Sequence, residues 1–136
     1  MTIEPGASPT TLSGLRVLLV DDSVDTLEAF SELLELEGAD VTAAAGGSDA
    51  LRAVALQAYD ILISDIAMPG MDGYELLARL RQDPATAGLP AIALTGYGED
   101  KEENLRVGGR GFDAHLGKPV FFETLLITIN KLVKER

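Results

Sequence analysis

The sequence predicts an α/β domain, an open doubly wound sheet of five parallel strands with helices on both faces. Three observations lead there. Short apolar runs rich in Val, Ile and Leu alternate with helical patterns five times, as strands buried on both faces require. The connections are of helix length, which makes the crossovers right-handed and the strands parallel. The chain of 136 residues, 46% of them apolar, can build one core of ordinary size.

Residues 1–14, MTIEPGASPTTLSG, are rich in Pro, Gly, Ser and Thr, show no periodicity and read as a flexible tail or linker before a domain over 15–136. Val17–Val20 is the first strand. Leu27, Phe30 and Leu34 follow at helical spacing, and Gly38 is a stop. Val41–Ala44 is a weak second strand. Ser48 is the candidate N-cap of a helix that carries Leu51, Val54, Ala55 and Ala58 on one face. Ile61–Ser64 is the third strand, Tyr74–Leu80 is helical, and Pro84 closes the segment after that helix. Ala91–Leu94 is the fourth strand, Glu99–Val107 a helix and Phe112–Leu116 the last strand. Phe122, Leu125, Leu126, Ile129, Leu132 and Val133 mark the clearest amphipathic helix. It runs to the C-terminus, so no output domain is expected after it.

The formal net charge of −11 argues against nucleic acid, whose phosphates are neutralised by Lys and Arg. Without cysteine the chain has no disulfide, thiolate zinc site or cysteine nucleophile. No secretory signal is recognisable, and no stretch approaches the roughly 18 apolar residues of a membrane span. A cytoplasmic location is the expectation.

In such sheets ligands sit beyond the carboxyl ends of the strands. Asp21 and Asp22 stand there after the first strand, Asp65 after the third, Thr95 after the fourth and Lys118 after the fifth. The second strand ends in Ala43-Ala44-Ala45, which suits an edge outside the crevice. Three neighbouring carboxylates repel one another unless a cation joins them, and oxygen-only ligands suit a hard ion such as Mg²⁺. An ammonium and a hydroxyl suit a phosphoryl group. A carboxylate can itself be the nucleophile that accepts one. The loop of "ISDIAMPGMDG" would then present Asp65 to a donor in line. Singly, each residue has a plainer reading: an Asp after a strand is usually a turn or cap, a Thr there a strand-end cap, a Lys before Pro a surface residue. Their joint occurrence on the correct strands favours the site.

With these residues in these places, the chain resembles the receiver domains of two-component response regulators, from about Leu15 to its end. "LLVDDS", "SDIAMPGMDG", "ALTG" and "HLGKPV" carry the resemblance, and Asp65–Gly73 matches the D-x-x-M-P-x-M-D-G pattern in full. The resemblance implies a flavodoxin-like sheet of order 2-1-3-4-5. It implies that Asp65 accepts a phosphoryl group from a histidine kinase or a histidine phosphotransfer protein. Asp21, Asp22, Asp65 and the backbone carbonyl of Ala67 would hold Mg²⁺. Thr95 would be the switch hydroxyl and Lys118 the counter-charge, with a Lys118–Pro119 bond that is often cis. The product would be a phosphoacceptor regulator, a monomer or weak homodimer with an unknown output partner, and not an enzyme beyond its own phosphorylation and dephosphorylation. It could stand alone or belong to a hybrid sensor kinase.

The chain departs from the family at several positions. His115, the only histidine, stands where an aromatic switch residue is usual. Gly108, Gly109 and Gly111 fall where helices usually continue. Phe121 replaces a polar N-cap. Ala67 and Tyr97 occupy positions that commonly manage the hydrolytic water. Three other readings compete. An aspartate-nucleophile phosphatase of the haloacid dehalogenase kind would carry D-x-D on its first strand, against the adjacent "DD" here. A flavodoxin-like flavin or nucleotide module would need a phosphate loop, which is not present. A degenerate receiver that only binds partners would not keep the full Asp, Thr and Lys set.

Overall fold

The computed structural model describes residues 11–96, 104, 107 and 109–134. The strands are β1 (Arg16–Val20), β2 (Asp40–Ala44), β3 (Ile61–Asp65), β4 (Ala91–Thr95) and β5 (Ala114–Gly117). The helices are α1 (Val24–Leu36), α2 (Gly47–Leu56), α3 (Gly73–Arg81) and α4 (Phe122–Lys134). All strand pairs are parallel and the order is β2-β1-β3-β4-β5, as the resemblance implied.

Alternation along the strands divides the core in two. Leu18, Val20, Leu62, Ala91 and Ala93 pack with Ala50, Tyr74, Leu76, Leu77 and Leu80 of α2 and α3. Val17, Leu19, Ile61, Ile63, Ile92 and Leu94 pack on the other face with Leu27, Leu34, Leu125 and Ile129 of α1 and α4. Every residue of β3 and β4 is buried. Full burial of each large aliphatic there stabilises the fold by about 1.5–3 kcal/mol. These two strands are therefore the rigid base on which Asp65 and Thr95 stand.

Local chemistry sets the ends. Ser23 caps α1, its side chain accepting from the Thr26 N–H, and α1 stops before Gly38, which takes φ 96°. Asp72 caps α3, its Oδ1 accepting from the Glu75 N–H at 2.8 Å. Three expectations shift. Ser48 is not the cap of α2. The helix begins one residue earlier, at Gly47, capped by Gly46 without a side-chain bond; residue 47 must be glycine because Met71 lies where its Cβ would be, with Sδ 2.5 Å away. Ala58 lies beyond the helix, which ends at Leu56 where Gln57 turns extended. The last strand starts at Ala114 and not at Phe112. The Asp113 N–H donates to the Ala91 carbonyl and the Asp113 carboxylate accepts the Ala91 N–H, both at 2.8 Å, while Phe112 turns into the core.

Of residues 1–14, 11–14 are described, and they form a docked turn. Leu12 is buried in the α1/α4-side core and its N–H donates to the Glu37 carbonyl at 2.9 Å. The helix expected over Glu99–Val107 lies outside the described residues except for Asn104 and Val107, as do Tyr97 and Gly108. Among the described residues no helix is long and apolar enough to cross a membrane.

Candidate functional site at the carboxyl ends of the strands

The residues singled out from the sequence meet at one rim. Asp21 follows β1 directly, and its N–H donates to the Ala44 carbonyl at 3.1 Å, which extends the β1–β2 ladder by one residue. Its side chain is turned inward, 1% exposed. Oδ1 accepts the Ser23 N–H at 2.9 Å. Oδ2 is buried, accepts no hydrogen bond among the described residues and lies 3.9 Å from Lys118 Nζ. Asp22 beside it is exposed.

Asp65 is the last residue of β3, paired in register with Leu94, and is itself 3% exposed. Its loop is clamped from two sides. The Ile66 N–H donates to the Leu94 carbonyl at 3.1 Å, and the Gly73 N–H donates to the Ile66 carbonyl at 2.9 Å. A Cβ at residue 73 would stand 2.5 Å from the Asp65 carbonyl oxygen, so only glycine lets α3 start this close to the end of β3. Ser64 is buried and its hydroxyl donates to the Asp65 carbonyl at 2.8 Å.

Across the crevice, Lys118 Nζ donates to Asp65 Oδ1 at 3.0 Å. The Lys118 N–H donates to the Thr95 carbonyl at 2.7 Å, which fixes the turn after β5 against the end of β4. The Lys118–Pro119 peptide is cis. Thr95 is buried at the end of β4, in register with Gly117. Ala67 lies in the exposed part of the loop after β3.

One carboxylate oxygen from each of Asp21, Asp22 and Asp65 can lie within 4.8 Å of the other two. Burial, joined by the charges of Asp65 and Asp22, raises the Asp21 pKa above the usual carboxylate value, against the lowering effect of the Ser23 N–H and Lys118. Three acids held this close are costly when all are ionised. A hard divalent ion fits this donor set, and it would give the unpartnered Asp21 oxygen a ligand role.

His115 sits in the middle of β5, in register with Ala93. Its ring packs inward on Tyr74 of α3 and Phe112, and its Nε2 is 3.3 Å from the Tyr74 hydroxyl. The roles of Gly73, Tyr74 and the Gly47–Met71 packing were not anticipated from the sequence. For Tyr74 one signal existed, since Tyr74, Leu77 and Arg81 fall at i, i+3 and i+7 and so share a helix face.

Comparison with known proteins gives a consistent picture. The family described as the response regulator receiver domain matches residues 17–130. An uncharacterized 14.6 kDa protein of the sodA1 3′ region of Leptolyngbya boryana is 45% identical over 112 residues, covering 81% of this chain and 83% of that one. Protein PilH of Pseudomonas aeruginosa is 35% identical over 120 residues, covering 87% and 97%. The receiver domain of the sensor histidine kinase PA1611 of Pseudomonas aeruginosa PAO1 superposes with a TM-score of 0.79 at 28% identity, over 90% of this chain and 99% of that one. That structure holds a magnesium ion coordinated in its active site cleft.

Proposed function

This chain belongs to the response regulator receiver domain family of two-component signalling, and from that premise we propose that Asp65 is its phosphoacceptor. The observation that carries the reading is the convergence of Asp65, Asp21 and Lys118 within one crevice, with Nζ of Lys118 3.0 Å from Asp65 Oδ1. The family match sets aside the phosphatase and flavin-module alternatives.

The donor is a phosphohistidine of a histidine kinase or phosphotransfer protein. An Asp65 carboxylate oxygen attacks phosphorus in line. The P–N bond breaks, its electron pair returns to the donor imidazole nitrogen, and that nitrogen ends protonated or as the free base of the ring. Positioning and electrostatics carry such a transfer. Lys118 supplies a positive charge beside the developing phosphoryl oxygens. The Thr95 hydroxyl donates to one of them once the phosphoryl group is in place, and His115 responds to that shift as the switch residue. Asp21, Asp22, Asp65 and the Ala67 carbonyl would hold Mg²⁺, which would supply charge neutralisation for the phosphoryl oxygens. The domain promotes its own phosphorylation and dephosphorylation and turns over no other substrate.

Intact-mass measurement with acetyl phosphate tests this. One phosphoryl group is expected with Mg²⁺ and none in EDTA. Wild type that never gains the mass, or an Asp65→Asn variant that still does, overturns the assignment.

A further inference from the structure

We infer that Tyr74 is a positioning residue for the phosphoacceptor site, acting through His115 on the strand that delivers Lys118. The inference rests on the reading of Asp65 and Lys118 given above.

Among the described residues β5 has one neighbour, β4, and all four of its residues are at least partly exposed. A four-residue edge strand held by one ladder is the least constrained part of the sheet. Yet it feeds directly into Lys118, whose Nζ must stay within reach of Asp65. Something besides the β4 ladder has to hold it.

Ala114 and Leu116 pack on the α1/α4 face of the sheet, and the side chain of β5 that reaches toward α3 on the other face is His115. It meets Tyr74 and Phe112 in a closed set of three rings with centroid separations of 5.6, 5.9 and 6.4 Å. Tyr74 and Phe112 are buried, and the Tyr74 hydroxyl is 3.3 Å from His115 Nε2. Tyr74 is itself anchored to the acceptor loop. It is the second residue of α3, directly after Gly73, whose N–H bonds to the Ile66 carbonyl and whose α-carbon leaves no room beside the Asp65 carbonyl. The Tyr74–His115 contact therefore joins the two segments that carry the nucleophile and its counter-charge. The β4 strand joins them by a separate route, through the Lys118 N–H on the Thr95 carbonyl. A phenol fits this place because its ring fills the core while its hydroxyl reaches a polar partner.

The test measures the phosphorylation rate with saturating acetyl phosphate and Mg²⁺ in four proteins: wild type, Tyr74→Phe, His115→Phe and the double variant. Tyr74→Phe keeps the ring and removes the hydroxyl. It is expected to slow phosphorylation about fivefold, the effect of losing one ordinary hydrogen bond. The double variant is expected to be no slower than the slower single variant, because both changes remove the same contact. Mg²⁺ affinity, read by fluorescence or calorimetry, is expected to stay at the wild-type value, and circular dichroism is expected to show all four proteins equally folded at the assay temperature. Single variants with wild-type rates, additive losses, or slowing that tracks an unfolded fraction each overturn the inference. If wild type takes up no phosphoryl group, the functional reading falls and takes this one with it. If wild type reacts normally and the variants match it, only the role of Tyr74 falls.

Discussion

Ala67 stands two residues after Asp65, in the exposed part of its loop, and offers no side-chain polar atom. Loss of a phosphoryl group from Asp65 needs a water held in line with phosphorus, and placement governs that rate. Ala67→Asn is expected to shorten the lifetime of the phosphorylated form about threefold or more. First-order loss of label after donor removal checks it, and an unchanged or slower loss contradicts it. Asp21 gives a second prediction. Burial is the largest cause of its raised pKa, with the Asp65 charge adding to it. A carboxyl raised on folding contributes stability that is present below its unfolded pKa and is lost as pH rises through the folded value. Without divalent cation, Asp21→Asn should therefore be more stable than wild type at neutral pH. A gain of ~1 kcal/mol would appear as several degrees in melting temperature. The gain should vanish in acid, where both side chains are uncharged. Mg²⁺ should raise the wild-type melting temperature by mass action and the variant's much less. A variant less stable than wild type across the whole range would contradict the electrostatic reading.

Elements are held by contacts that local patterns only partly show. Arg81, at the end of α3, is 6% exposed. Its guanidinium donates to the carbonyls of Arg110, Thr86, Ala87 and Leu89 at 2.5 to 3.2 Å, so one side chain gathers the α3–β4 connection and the segment before β5. Gly109, at φ 124°, lets that segment approach, since a Cβ there would be 3.1 Å from Arg81 Cβ. Desolvation is the main cause lowering the Arg81 pKa, followed by the charge of Arg110. Arg81→Met would fill the space and strand several carbonyls, at a cost of about 3 kcal/mol in urea denaturation. A loss under ~1 kcal/mol would show that water takes over these bonds. Phe121 lies at the other extreme. It is 71% exposed, and its carbonyl accepts the Leu125 N–H at 3.1 Å, which places it at the N-cap of α4. Phe121→Ser removes little packing and adds a cap, so stability should rise by about 0.5–1 kcal/mol. A clear loss would mean that the ring covers something on folding.

Across the whole molecule, the sheet and its rim were legible because both follow from coarse rules. Buried parallel strands read as apolar runs, and polar residues at their carboxyl ends converge by topology, so Asp21, Asp65, Thr95 and Lys118 could be placed together from spacing. The illegible parts depend on contacts between distant segments. Ser48 reads as a cap until the helix is seen to start at Gly47, packed under Met71. Phe112 reads as a strand residue until Asp113 takes both partners at Ala91. Leu12 reads as tail until its burial near Glu37 is known. Each local signal was sound, and tertiary packing outweighed it. The central claim, that this fold exists to hold one reactive carboxylate, is tested most directly by chemical trapping. After phosphorylation with acetyl phosphate and Mg²⁺, borohydride reduces an aspartyl phosphate to homoserine, and peptide mass mapping locates it. Conversion at Asp65, absent when the donor or Mg²⁺ is left out, is the expected result. Conversion at Asp21, Asp22 or any other acid, with Asp65 unmodified, would contradict it.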